Sequence, residues 1–161
     1  MEKYIGVKEL TAKPMNRLEY VTLRGWELPS DENGEDEGFL VVYPNQVANV
    51  EGFEGYVSWS PEKVFNEAYK TTQGMTFGLA VEAMKIGKKV ARIGWNGSGM
   101  FAFLVPGSVL TVNRPPLNKI YPEGTEITYR PHMDLKTADG SVSTWAPSGS
   151  DCLAEDWIII D

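Results

Sequence analysis

Thr76-Phe77-Gly78-Leu79-Ala80-Val81-Glu82-Ala83-Met84-Lys85-Ile86-Gly87-Lys88-Lys89-Val90-Ala91-Arg92-Ile93-Gly94-Trp95-Asn96-Gly97 begins with helical periodicity and ends in a strand and a turn. Phe77, Ala80, Val81 and Met84 fall at the i, i+3, i+4, i+7 positions of one helical face. Thr76 can cap the first turn, because a hydroxyl oxygen there accepts from an unpaired backbone N–H. Gly87 stops the helix, and Lys85, Lys88 and Lys89 stand near its negative end. Residues 90–94 then read as a strand, and Asn96-Gly97 as a hairpin turn into a second strand at 100–105, since both turn residues tolerate positive φ.

Working outward, further strands are expected at 109–112, 126–129 and 157–160. One helix on a mainly antiparallel sheet makes this half an α+β domain, spanning 74–161. On the amino-terminal side, Thr71-Thr72-Gln73-Gly74 is polar, carries a glycine and reads as a linker. Residues 1–72 form a small α+β module of their own. Within it, 39–43 reads as a buried strand. Ser60-Pro61-Glu62 starts a helix with Ser60 as its cap, Trp59 and Val64 as a hydrophobic staple, and Val64, Phe65, Ala68 and Tyr69 on one face. Asn16 and Glu19 have the spacing of a capping box for a second helix.

The chain has 161 residues and a formal net charge of −7. That sign argues against a nucleic-acid polymer as partner, because phosphate backbones are bound through basic stripes. The acidity is concentrated in residues 1–72, with 13 acidic and 7 basic residues, whereas 73–161 carries 9 and 8. A near-neutral half can still hold a small anion with one or two local cations. No apolar run approaches the roughly 20 residues of a membrane span. Met1-Glu2-Lys3-Tyr4 opens without the regions of a signal peptide, and Cys152 is the single cysteine. The expected location is therefore a reducing cytoplasm.

No catalytic constellation assembles from the residues. His132 is the single histidine, and neither a nucleophile elbow nor metal-ligand spacing accompanies it, so no metal and no cofactor are expected. Cys152 reads as a small packed residue. The acidic run at 30–37 fits a calcium loop only loosely and reads as a solvated loop. Asp134, Asp139, Asp151, Glu155 and Asp156 could supply a carboxylate pair, although turns and caps use the same residues. The loop Gly94-Trp95-Asn96-Gly97-Ser98-Gly99 lacks the closing lysine and the following helix of a phosphate loop. It does offer an indole for stacking, an amide for base edges and backbone donors for phosphate. A second turn-rich stretch, Trp145-Ala146-Pro147-Ser148-Gly149-Ser150-Asp151, carries another tryptophan. Ser150 or Asp151 can cap a short helical turn there, and Trp157 enters the last strand as core. Both tryptophans can equally be structural.

The segments 75–92 and Gly94-Trp95-Asn96-Gly97, then 131–140, Trp145-Ala146-Pro147-Ser148 and 151–157, together resemble the second Thoeris anti-defence family of phage proteins. The likeness runs over about 74–161 in the same segment order. It implies a non-catalytic sponge, a homo-oligomer and typically a tetramer. Such a protein binds cyclic ADP-ribose isomers made by host TIR-domain enzymes, and in some members cyclic dinucleotides at a separate site. It implies a place in the cytoplasm of the infected bacterium. Carried onto this chain, Trp95 and Trp145 would flank the base, with Gly97 and Pro147 in the same two loops. Asn96 and Asp151 would fix polar edges or ribose hydroxyls, and Arg92 and Ser148 would meet phosphate. Two other classes stay open at this point: a small nucleotide or sugar-phosphate hydrolase using the carboxylates near Asp139 and Asp151, and a protein-interaction module using the acidic half.

Overall fold

A computed structural model describes residues 1–3 and 6–160. Tyr4, part of the opening segment read above, lies outside the described residues, as do Ile5 and Asp161. The chain divides into two compact units, Met1–Lys70 and Thr71–Asp161.

In the first unit, β1 (Thr11–Pro14), β2 (Gly38–Tyr43) and β3 (Tyr56–Pro61) form an antiparallel sheet in the order β1-β2-β3. Helix α1 (Arg17–Leu23) follows β1 and is closed by the expected capping box between Asn16 and Glu19. Helix α2 (Glu62–Ala68) starts one residue later than expected, because β3 runs on through Pro61 and Ser60 does not cap it. Phe65 stacks on Phe39, whereas Val64 and Ala68 stay exposed. The core centres on Leu40, Val57 and Tyr20, with Trp59 packed against it. The Trp59 indole N–H donates to the Met15 carbonyl at 2.8 Å. Its ring lies so close to Gly38 that an added methyl group would come within 2.4 Å of it. The acidic loop is tied down by Arg17, which bridges Glu32 at 2.8 Å and Asp36 at 3.2 Å.

The second unit is built on a six-stranded antiparallel sheet in the order β10-β9-β6-β5-β11-β4. Its strands are β4 (Gln73–Met75), β5 (Lys89–Arg92), β6 (Phe101–Val105), β9 (His132–Lys136), β10 (Val142–Thr144) and β11 (Trp157–Ile160). A separate hairpin joins β7 (Ser108–Thr111) to β8 (Glu126–Tyr129). The architecture is α+β with mainly antiparallel strands. The stretch read as a linker contains an edge strand: Met75 pairs with Trp157, and Ile159 donates to the Thr72 carbonyl.

Helix α3 (Phe77–Lys85) lies across this sheet as its sequence dictates. The Thr76 hydroxyl accepts from the Leu79 N–H, a cap worth about 1 kcal/mol. At the other end Gly87 takes φ +86°, with Gly87 N–H on the Met84 carbonyl and Lys88 N–H on that of Ala83. That pair is a Schellman reversal, and it needs a residue without a Cβ. Ala80, Ala83 and Met84 pack on Val90, Ala102 and Trp157 to form the core. Side chains alternate along a strand, so the residues registered with these, Leu104, Met133 and Leu135, share the helix-bearing face. Phe101, Phe103, Asp134 and Lys136 consequently project from the other one.

Candidate functional site

Two loops meet over the end of β5. One, residues 93–100, joins β5 to β6; the other leaves β10 and leads into α4 (Gly149–Cys152). The first is not a two-residue hairpin. Asn96 does not take positive φ, since no residue other than glycine does among the described residues, and β5 ends at Arg92. The loop follows a longer path because Asp156 holds its start: one Asp156 oxygen accepts the Gly94 N–H at 2.8 Å, and the other accepts from Arg92 Nε at 2.8 Å.

Arg92 reaches across to the second loop as well, donating through Nη1 to Asp151 Oδ1 at 2.9 Å. Asp151 is buried, with 8% of its surface exposed. It also accepts from the Trp95 indole N–H at 3.2 Å, the Ser148 N–H at 3.0 Å and the Ser148 hydroxyl at 2.7 Å. Ser148, not Ser150 or Asp151, is the N-cap of α4, and Asp151 closes the capping box as its third residue. Burial works to raise the Asp151 pKa, but the bonds from Ser148, Arg92 and Trp95 overcome it and hold the group at about 2. Asp156 is lowered too, first by Arg92 and then by the Gly94 N–H. The same two carboxylates, Asp156 foremost, hold Arg92 in its charged form.

Beneath this network lies Trp157, fully enclosed, its indole N–H donating to the Asp151 carbonyl at 3.0 Å. Phe77, Trp95 and Trp145 pack around it with ring centroids at 5.4, 5.4 and 6.0 Å. Trp95 and Trp145 touch one another edge to face, 5.9 Å apart and at 84°. Both are half-buried. Within one chain they therefore form a corner, not the two parallel walls of a slot, and a flat base could lie against one face at a time.

Of the residues singled out in the sequence, Arg92, Trp95, Ser148 and Asp151 belong to one hydrogen-bonded set, with Trp145 joined to it by ring contact. Arg92, expected to meet phosphate, is shared between two carboxylates of its own chain. Asp151, expected to meet ligand hydroxyls, is occupied by four donors. Asn96 is exposed on the first loop, and Pro147 is half-buried in the second. Gly97 has a packing role: a Cβ there would meet Met100 Sδ at 2.2 Å and the Ala138 methyl at 3.0 Å. What the sequence did not reveal is Asp156 as the anchor of the first loop. Its position beside Trp157 was the available signal, since strand entry fixes where that carboxylate points.

Chemically, the set is a hydrogen-bonded rim that offers indole surface and the Ser148 hydroxyl, with the exposed Asn96 amide on the same loop as Trp95. Asp139, the other proposed catalytic carboxylate, sits in the β9–β10 turn. Hydrogen bonds from Thr137 and then Ser141 hold it at about 2. Neither carboxyl has a proton to give near neutrality. His132 donates from Nδ1 to the Arg130 carbonyl at 3.0 Å and faces Asp134 at 3.5 Å through Nε2. Cys152 is exposed, contrary to its reading as packed.

Comparison with known proteins bears on the same segment. A family model described as the Thoeris anti-defense 2-like domain matches residues 75–160. A protein of Bacillus phage SP01 named Thoeris anti-defense 2 is 36% identical over 96 residues, which cover 53% of this chain and 94% of the relative. The eight residues expected from the sequence to form the site, from Arg92 to Asp151, all fall inside the matched segment.

Proposed function

The chain belongs to the Thoeris anti-defense 2-like family, and from that premise we propose that it captures a small cyclic nucleotide signal and withholds it uncleaved from the host's defence. The signal on this reading is a cyclic ADP-ribose isomer, bound in the cytoplasm of the infected bacterium by a homotetramer. The observation that carries the proposal is the 36% identity to a phage anti-defence protein over nearly its whole length.

The rim's chemistry is compatible with such a ligand. A base resting on one indole face of the Trp95–Trp145 corner would gain roughly 1–3 kcal/mol. The exposed Asn96 amide can both donate to and accept from a base edge. Arg92 spends three of its five N–H donors on Asp151 and Asp156, which also neutralise its charge, so it offers phosphate at most its two remaining donors. Capture without turnover is supported at Asp151, whose carboxylate already accepts from Arg92, Trp95 and twice from Ser148 and so has no oxygen left to activate a water.

The test is chemical recovery. The protein is mixed with a cyclic ADP-ribose isomer, freed of unbound ligand by filtration, then heated, and the released material is identified by mass. Intact cyclic ligand in stoichiometric amount is expected. Linear ADP-ribose, or an empty filtrate, would reject sequestration.

A further inference from the structure

On the sheet face away from α3, a cavity of about 360 Å³ opens between the end of that helix and strands β6, β9 and β10. Phe101, Phe103 and Val142 line it, together with three cations, Lys88, Lys89 and Lys136. The ammonium groups of Lys89 and Lys136 stand 5.6 and 5.7 Å from the centre of the Phe101 ring. All three lysines are half-buried, and none has a carboxylate within ion-pair distance among the described residues. Lys136 spends one donor on the Gly99 carbonyl at 3.1 Å, which leaves two. In a near-neutral unit, three like charges have thus been gathered around one concavity with no carboxylate in ion-pair contact with any of them among the described residues; Asp134, on the same face, lies against His132.

We propose that this cavity binds a linear nucleoside polyphosphate, with the base against the apolar floor and the phosphates among the three ammonium groups. The argument rests on shape and charge together. A bare inorganic anion would use the lysines and leave Phe103 and Val142 wet. An uncharged nucleoside would cover the floor and leave the cations repelling each other. Only a molecule with both a flat apolar body and a multiply charged end satisfies both. The volume lies near the lower end of the range for small-molecule sites, about 300–1,000 Å³, which suits a mononucleotide. Lysine suits the role because its compact charge meets phosphate as a point cation. The site uses none of the rim residues and stands whether or not a cyclic ADP-ribose isomer binds there.

Calorimetric titration of the whole 161-residue chain at low salt tests this with ADP, adenosine and pyrophosphate as probes. ADP is expected to bind saturably, pyrophosphate at least tenfold more weakly, and adenosine without measurable heat. The Lys88→Gln/Lys89→Gln double variant is expected to weaken ADP at least tenfold while keeping its urea midpoint. The Asn96→Ala variant should bind ADP like the parent, which separates this site from the rim. No binding of ADP would overturn the proposal, as would pyrophosphate binding as tightly as ADP, or ADP affinity surviving in the double variant. Equal displacement of ADP by a hexaglutamate peptide would mark a protein-docking face and overturn it too.

Discussion

The two faces of the six-stranded sheet treat charge in opposite ways. On the helix-bearing face, Arg92 is shared between Asp151 and Asp156, and those carboxylates in turn hold Gly94, Trp95 and Ser148. On the other face, Lys89 and Lys136 stand over the Phe101 ring and Lys88 lines the same cavity, none of them with a carboxylate partner among the described residues. Charge satisfied within the chain builds architecture: it fixes two loops over a fully enclosed tryptophan. Charge left without a partner beside apolar surface is free to meet something else. The contrast teaches that the residues most recognisable in sequence, an arginine and an aspartate beside tryptophans, are here mainly the frame of the rim.

The comparison breaks first at Trp157. Replacing it with alanine removes the ring on which Phe77, Trp95 and Trp145 converge, and should cost about 3–5 kcal/mol in urea unfolding of the second unit. A loss under about 1 kcal/mol would mean the three rings do not depend on it.

Asp151→Asn should cost less, about 2 kcal/mol, because Arg92 keeps Asp156 while losing one charge-assisted bond. The same variant sharpens the comparison by its pH dependence. Asp151 is depressed from 3.8 to about 2 in the folded chain. Its contribution is therefore complete above about pH 4 and disappears as pH falls towards 2. Acid unfolding should begin in that window in the parent and show a shallower pH dependence in Asp151→Asn. Identical profiles would remove Asp151 from the frame.

Smaller effects separate packing from charge. Gly97→Ala presses a methyl group on Met100 and Ala138, and since the Met100 thioether can swing aside, a loss of about 1 kcal/mol is expected. Lys88→Gln touches the unpartnered face and should leave the urea midpoint within about 0.5 kcal/mol of the parent. A clear loss there would show that the lysine serves the fold after all.

How far all this could be read from sequence follows from how local each feature is. Helix α3 was legible from end to end, because the Thr76 cap, the Ala80–Met84 face and the Gly87 reversal all act within a turn or two of the chain. The final strand was legible in its Trp-Ile-Ile-Ile run, and α1 in its capping box. Strand β4 was not, since three residues become a strand only by pairing with Trp157 and Ile158 far along the chain. The Asn96-Gly97 pair misled because Asp156, from the other end of the domain, pulls Gly94 and sets a longer loop. Lys88 and Lys89 read as complements to the helix dipole, and nothing in their spacing announced Lys136 beside them. The rim residues were recognisable by kind; their mutual saturation was not, because it depends on contacts 56–64 positions apart.

Calorimetric titration of a cyclic ADP-ribose isomer into the parent protein and into Asn96→Ala tests the central claim most directly, since that exposed side chain can be removed without disturbing the frame. The account predicts tight, saturable heat in the parent and at least tenfold weaker binding in the variant, at an unchanged urea midpoint. Absence of binding to the parent, or equal affinity in both, would contradict it.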